Sequence, residues 1–107
     1  MFNEITANGL KELLDKDPNS VILVDVRESY EFEYGHLPSL HIPIGEVSHR
    51  YHEIPESTRI VVCCRSGSRS MNVIKYLSSQ HNFQNLYYLK GGLLAWQQDV
   101  DAQFRVY

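Results

Sequence analysis

Three short apolar runs punctuate the chain: VILVDV at 21–26, RIVVCC at 59–64 and NLYYL at 85–89. They are rich in Val, Ile and Tyr and mostly do not alternate with polar residues, which is how strands buried on both faces of a parallel sheet read. His41-Ile42-Pro43 is a candidate for a further short strand. Helical spacing fills the intervals. Thr6 is placed to cap a helix over NGLKELLDK, with Leu10, Leu13 and Leu14 on one face and Asp17-Pro18-Asn19 as the stop. Glu28 to Tyr34 reads as a short helix closed by Gly35, and Gly45 to Glu53 as another ended before Pro55. Ser70 to Gln80 carries Met71, Ile74 and Leu77 at helical spacing, and Gly92 to Gln98 makes a last turn or two. Strands alternating with helices predict an α/β fold: a small parallel sheet flanked by helices on both faces.

A chain of 107 residues fits one domain, taken here as 1–107. With 43% hydrophobic and 21% charged residues it has an ordinary globular composition. The net charge of -3 comes without a basic stripe, which argues against a nucleic-acid partner. No apolar run approaches the ~20 residues of a membrane helix. MFNEITANGL lacks a basic region followed by an apolar one, so no signal peptide is expected. The two cysteines, Cys63 and Cys64, are adjacent. A disulfide between neighbours closes a strained ring, so reduced thiols in a cytoplasmic setting are expected. They also lack a second cysteine pair or a His-x3-His partner, so no metal site is expected.

The chemistry concentrates between the second apolar run and the helix after it. VVCCRSGSRS, 61–70, delivers a cysteine at the carboxyl end of a strand to a turn that opens a helix. Ligand sites of open α/β sheets lie at such strand ends. The turn supplies a run of backbone N–H groups and a helix N-terminus, both of which favour negative charge. Ser66, Gly67 and Ser68 let the backbone curl without filling the bowl, and Arg65 and Arg69 add fixed positive charge. A cysteine at the lip of that bowl should have its pKa lowered from ~8.5.

Two registers are open. From Cys63 the stretch is Cys-x5-Arg-Ser, the tyrosine-phosphatase signature, but Ser66 stands where that family usually has glycine and Val62 where it has histidine. From Cys64, the segment Cys64-Arg65-Ser66-Gly67-Ser68-Arg69-Ser70 resembles the active-site loop of rhodanese-type sulfurtransferases, in which asparagine is common at the place of Ser68. The shorter loop closes a smaller bowl, better suited to a persulfide sulfur than to a tetrahedral phosphate. Cys63 then ends the strand with its side chain on the face opposite Cys64.

The resemblance extends along the chain. Asp25-Val26-Arg27-Glu28, Glu31-Phe32, Gly35-His36-Leu37-Pro38 and His41-Ile42-Pro43 are similar to the first-half signature of rhodanese domains. Ser39-Leu40 departs from that family's usual Gly-Ala. Leu89-Lys90-Gly91-Gly92-Leu93-Leu94-Ala95-Trp96 resembles their closing segment. The resemblance implies a Cys64 nucleophile that takes a sulfane sulfur from a small anionic donor such as thiosulfate and passes it on by a ping-pong route. It implies no metal or organic cofactor. The acceptor would be a thiol or a sulfur-acceptor protein. The tail, with Asp99-Val100-Asp101 and Val106-Tyr107, resembles rhodanese domains fused to adenylating enzymes that load ubiquitin-like sulfur carriers.

The remaining matched residues read mainly as structural. Asp25 and Arg27 are expected to fix loops by hydrogen bonds, with a place for Arg27 at the border of the site as the alternative. His36 reads as a buried hydrogen-bonding histidine and Trp96 as a core anchor. Glu28, Glu31 and Glu33 read as a solvated helix face. Arg65 is placed to contact an anionic donor and Arg69 to hold the loop or add to its field, and the residues alone do not assign these two roles. A small cysteine phosphatase or arsenate reductase using Cys63, and a non-catalytic rhodanese-like binding module, are the competing readings.

Overall fold

β2 (Val21–Asp25) and β4 (Arg59–Cys63) lie side by side in a five-stranded, wholly parallel sheet. The structure, a computed structural model, describes residues 2–107. β5 (Leu86–Leu89) joins the other edge of β4, β3 (Leu40–His41) joins β2, and β1 (Asn3–Ile5) closes the far side. The order is β1-β5-β4-β2-β3, so the strand that ends in the two cysteines is central. Its register sets Val62 beside Val24 and Cys63 beside Asp25.

Side-chain alternation along β4 sorts its residues between two cores. Ile60, Val62 and Cys64 join Val24, Val47, Val73, Ile74 and Leu77 on one face. Val61 and Cys63 join Leu23, Leu89, Ala7, Leu10, Leu93 and Trp96 on the other. The first face is covered by α3 (Val47–Arg50) and α4 (Ser68–His81), the second by α1 (Ala7–Lys16) and α5 (Gly92–Asp99). Each such aliphatic side chain contributes on the order of 1.5–3 kcal/mol by leaving water. The expected parallel sheet with helices on both faces is the observed architecture.

Local signals account for the ends of the helices. Thr6 caps α1, its Oγ1 accepting the Gly9 N–H at 3.0 Å. α2 (Ser29–Tyr34) opens on a reciprocal capping box between Glu28 and Glu31. The predicted helix over 45–53 is a short α-helical turn flanked by two 3₁₀ turns at Ile44–Glu46 and Tyr51–Glu53. β1 is absent from the sequence reading: three residues on an edge, largely exposed, make no apolar run.

Candidate active site

Cys64 follows directly on β4, and the chain then turns through 65–67 into α4. The turn depends on Gly67, which caps α4 at φ 119°, a left-handed conformation that side chains resist. A Cβ there would also stand 2.1 Å from the Tyr88 hydroxyl. The resulting curl aims two backbone donors at the sulfur: Gly67 N–H at 3.1 Å and Ser70 N–H at 3.4 Å from Cys64 Sγ. The Cys64 thiol in turn reaches Ser70 Oγ at 3.6 Å, and that hydroxyl donates to the Gly67 carbonyl at 2.9 Å. Amide dipoles converging at the start of a fourteen-residue helix stabilise negative charge on the sulfur.

Cys64 is 0% exposed, so it forms the floor of the bowl and not the lip expected from the sequence. Above it Gly67 is buried, while Arg65, Ser66 and Ser68 are exposed. The loop is also braced from behind. Leu93 N–H donates to the Cys64 carbonyl at 2.9 Å and Leu94 N–H to the Arg65 carbonyl at 3.0 Å. This contact requires Gly92, where a Cβ would sit 2.5 Å from the Arg65 carbonyl oxygen and 2.7 Å from that of Cys64. The Gly91-Gly92 pair thus does more than make a tight turn, since it lets the N-terminus of α5 press onto the loop.

The two arginines of the loop go to different partners. Arg69 forms a two-pronged ion pair with Glu31, with Nη1 at 2.6 Å and Nη2 at 2.9 Å from its oxygens. Glu31 is 4% exposed, so the expectation of a solvated acidic face on α2 does not hold at this position. The Arg69 guanidinium holds the Glu31 carboxyl below its ordinary value; burial opposes this, and the Glu28 N–H adds to it. Glu31 in turn raises Arg69. Arg65 instead donates its Nε–H to the main-chain oxygen of Tyr107 at 3.0 Å.

Arg27 is 0% exposed and does not border the mouth. Its guanidinium grips both oxygens of Asp25, the Glu31 carbonyl at 3.3 Å and the Gly35 carbonyl at 2.9 Å. It serves as the strut that pins α2, and through Glu31 it steadies Arg69. Charge is the physical reason: a buried guanidinium needs a counter-charge and partners for its donors. Asp25 two residues away supplies the charge and accepts from Nε and Nη2, while the Glu31 and Gly35 carbonyls each accept one more. His36 is exposed, not buried; its Nδ1–H donates to the Phe32 carbonyl at 2.8 Å and its ring stacks on Phe32.

Cys63 lies wholly in the opposite core from Cys64. Burial pushes its thiol well up, with the Asp25 charge acting in the same direction. Among the described residues no cluster of three or more His, Cys, Asp or Glu forms a metal site, and no helix is long and apolar enough to cross a membrane. Glu31 was the functional contact most hidden in the sequence. Its only local sign was the i, i+3 spacing with Glu28 that makes the capping box.

Known proteins resemble the chain in sequence and in fold. The rhodanese-like domain family model matches residues 6–99. A putative sulfurtransferase of Bacillus subtilis, YtwF, is 38% identical over 97 residues, covering 90% of this chain and 91% of that protein. A sulfurtransferase of Allochromatium vinosum is 37% identical, covering 90% and 89%. The crystal structure of a rhodanese-like domain protein from Staphylococcus aureus superposes with a TM-score of 0.78 at 28% identity, covering 98% of each chain.

Proposed function

This chain belongs to the rhodanese-like domain family, whose sulfurtransferase members it matches over most of its length, and on that premise we propose that it transfers sulfane sulfur through Cys64. The observation that carries the reading is the pair of backbone N–H groups, Gly67 and Ser70, aimed at Cys64 Sγ at the start of α4. Cys63, in the opposite core with its thiol pushed up, offers no comparable nucleophile, which counts against the phosphatase register.

The proposed first half-reaction uses thiosulfate. The Cys64 thiolate attacks the outer sulfur, the S–S bond of thiosulfate breaks, and sulfite leaves with the bonding pair. A Cys64 persulfide remains, and the amides of the 65–69 loop stabilise its terminal charge. In the second half-reaction a thiolate or cyanide attacks that terminal sulfur and restores Cys64. Because the sulfur lies beneath the loop, donor entry requires 65–68 to give way, and Ser66, Gly67 and Ser68 leave little side chain to move. Thiosulfate as donor is supported by the likeness to the thiosulfate sulfurtransferase GlpE of Pseudoalteromonas translucida, 30% identical over 90% of this chain. A protein acceptor is supported by the likeness to the putative sulfur carrier protein YrkF of Bacillus subtilis, at 35% identity, and to an adenylyltransferase and sulfurtransferase of Zea mays, at 34%.

The test is intact mass after incubation with thiosulfate, with peptide mapping. The expected result is a gain of one sulfur atom on Cys64 that cyanide removes. No gain on fully reduced protein, with either thiosulfate or an organic persulfide donor, rejects the reading.

A further inference from the structure

The C-terminal tail packs on α2 and reaches the candidate loop at Arg65. The Gln97 side-chain amide donates to the Phe104 carbonyl at 2.8 Å and sets the tail's start. The Arg105 guanidinium lies 4.4 Å over the Tyr34 ring, and the Tyr107 ring meets Tyr30 and Tyr34 edge-on at 4.9 and 5.5 Å. The backbone passes so close to α2 that a Cβ on Gly35 would stand 2.2 Å from the Arg105 carbonyl oxygen. At the end of this path the Tyr107 main-chain oxygen accepts the Nε–H of Arg65. Arg65 is exposed on the loop that encloses Cys64, and among the described residues its two terminal nitrogens have no protein partner.

We propose that the tail is a positioning element for Arg65: residues 104–107, docked on Tyr30 and Tyr34, hold the Arg65 Nε so that the free fork of its guanidinium is set for a doubly charged anion at the loop. A long exposed arginine otherwise loses rotamer freedom on binding, and fixing one end beforehand removes part of that cost. The fork is the end that matches a tetrahedral oxyanion in two-pronged fashion. The aromatic contacts suit the task because Tyr30 and Tyr34 are themselves exposed, 58% and 44%, and belong to neither core. The inference deepens the proposed function, since the anion is that of the sulfur donor, but its test does not depend on turnover.

The probe is sulfate, a dianion that cannot transfer sulfur, titrated onto the full chain while the Arg65 Nε–H resonance is followed by NMR. The double variant Tyr30→Ala/Tyr34→Ala should speed exchange of that N–H with water and weaken sulfate binding three- to tenfold. Gly35→Ala, which pushes the tail away through its backbone, should do the same. In an Arg65→Gln background the tail variants should change sulfate affinity no further. In turnover with thiosulfate the Tyr30→Ala/Tyr34→Ala variant should raise KM while leaving kcat within twofold. Equal sulfate affinity in the parent and both tail variants overturns the proposal, as does an equal loss in the Arg65→Gln background, or no sulfate binding by the parent. Failure of Cys64 to load sulfur is read separately by mass and strikes the proposed function alone.

Discussion

Gly67→Ala is the sharpest perturbation of the candidate site, because two separable penalties meet there. One is conformational: φ of 119° lies in the left-handed half of the map, which costs an alanine about 1–2 kcal/mol. The other is steric: the new methyl would fall 2.1 Å from the Tyr88 hydroxyl, with the ring carbons at 3.0 and 3.2 Å, and such overpacking costs about 1–3 kcal/mol. The single variant should therefore lose about 2–5 kcal/mol, which at ~4–8 °C per kcal/mol for a domain of this size is a fall in Tm on the order of 15 °C. Tyr88→Phe removes the oxygen and most of the steric part, leaving the conformational part intact. A double-mutant cycle read by urea denaturation should give a coupling of about 1–3 kcal/mol in favour of the Tyr88→Phe background. Sulfur loading should stay depressed in the double variant, because the Gly67 N–H is still re-aimed. A coupling below about 0.5 kcal/mol, or a single-variant loss below about 1 kcal/mol, would refute the account of the loop's curl.

Glu31→Gln keeps shape but removes the charge that Arg69 grips. Sulfur transfer should fall several-fold, and stability by on the order of 1–2 kcal/mol after allowance for the partly exposed Arg69, as measured by turnover and urea midpoint. Since the folded carboxyl of Glu31 titrates below its ordinary value of 4.5, the pair contributes fully above that pH and its contribution is lost as pH falls through the lowered value. The acid limb of a stability–pH curve should therefore flatten in Glu31→Gln. Arg27→Met strands the Asp25 charge in the core and should cost about 3–5 kcal/mol by chemical denaturation. Cys63→Ala should lose only about 0.5–3 kcal/mol and still accept one sulfur atom by mass spectrometry.

The parts of the fold that were legible are those in which local pattern and burial agree. VILVD and RIVVC are apolar on both faces because helices cover both faces, and Thr6 caps a helix because its hydroxyl satisfies an orphan amide. The loop's left-handed turn falls at Gly67, the glycine three positions after Cys64 on which the resemblance to the rhodanese loop is read. Long-range charge was not legible. Glu31 sits among acidic neighbours on a short helix, and its capping-box spacing with Glu28 says nothing of an arginine 38 positions on. Gly92 reads as a turn glycine until α5 is seen pressing on the Cys64 and Arg65 carbonyls. Arg27 is legible as a residue that fixes loops by hydrogen bonds, but the alternative place at the site border falls only when α2 folds back and brings the Gly35 and Glu31 carbonyls to it.

The back-to-back placement of Cys63 and Cys64 bears on oxidative damage. A cysteine sulfenic acid is ordinarily rescued by condensation with a nearby thiol. Here the neighbour in sequence projects into the other core, across the thickness of the sheet, whereas a bridge needs its Cβ atoms within about 4.5 Å and facing each other. The domain therefore carries no resolving thiol of its own. A peroxide-treated Cys64 must be recovered by a thiol from outside the fold, or it proceeds to the irreversible acids while Cys63 stays reduced beneath it.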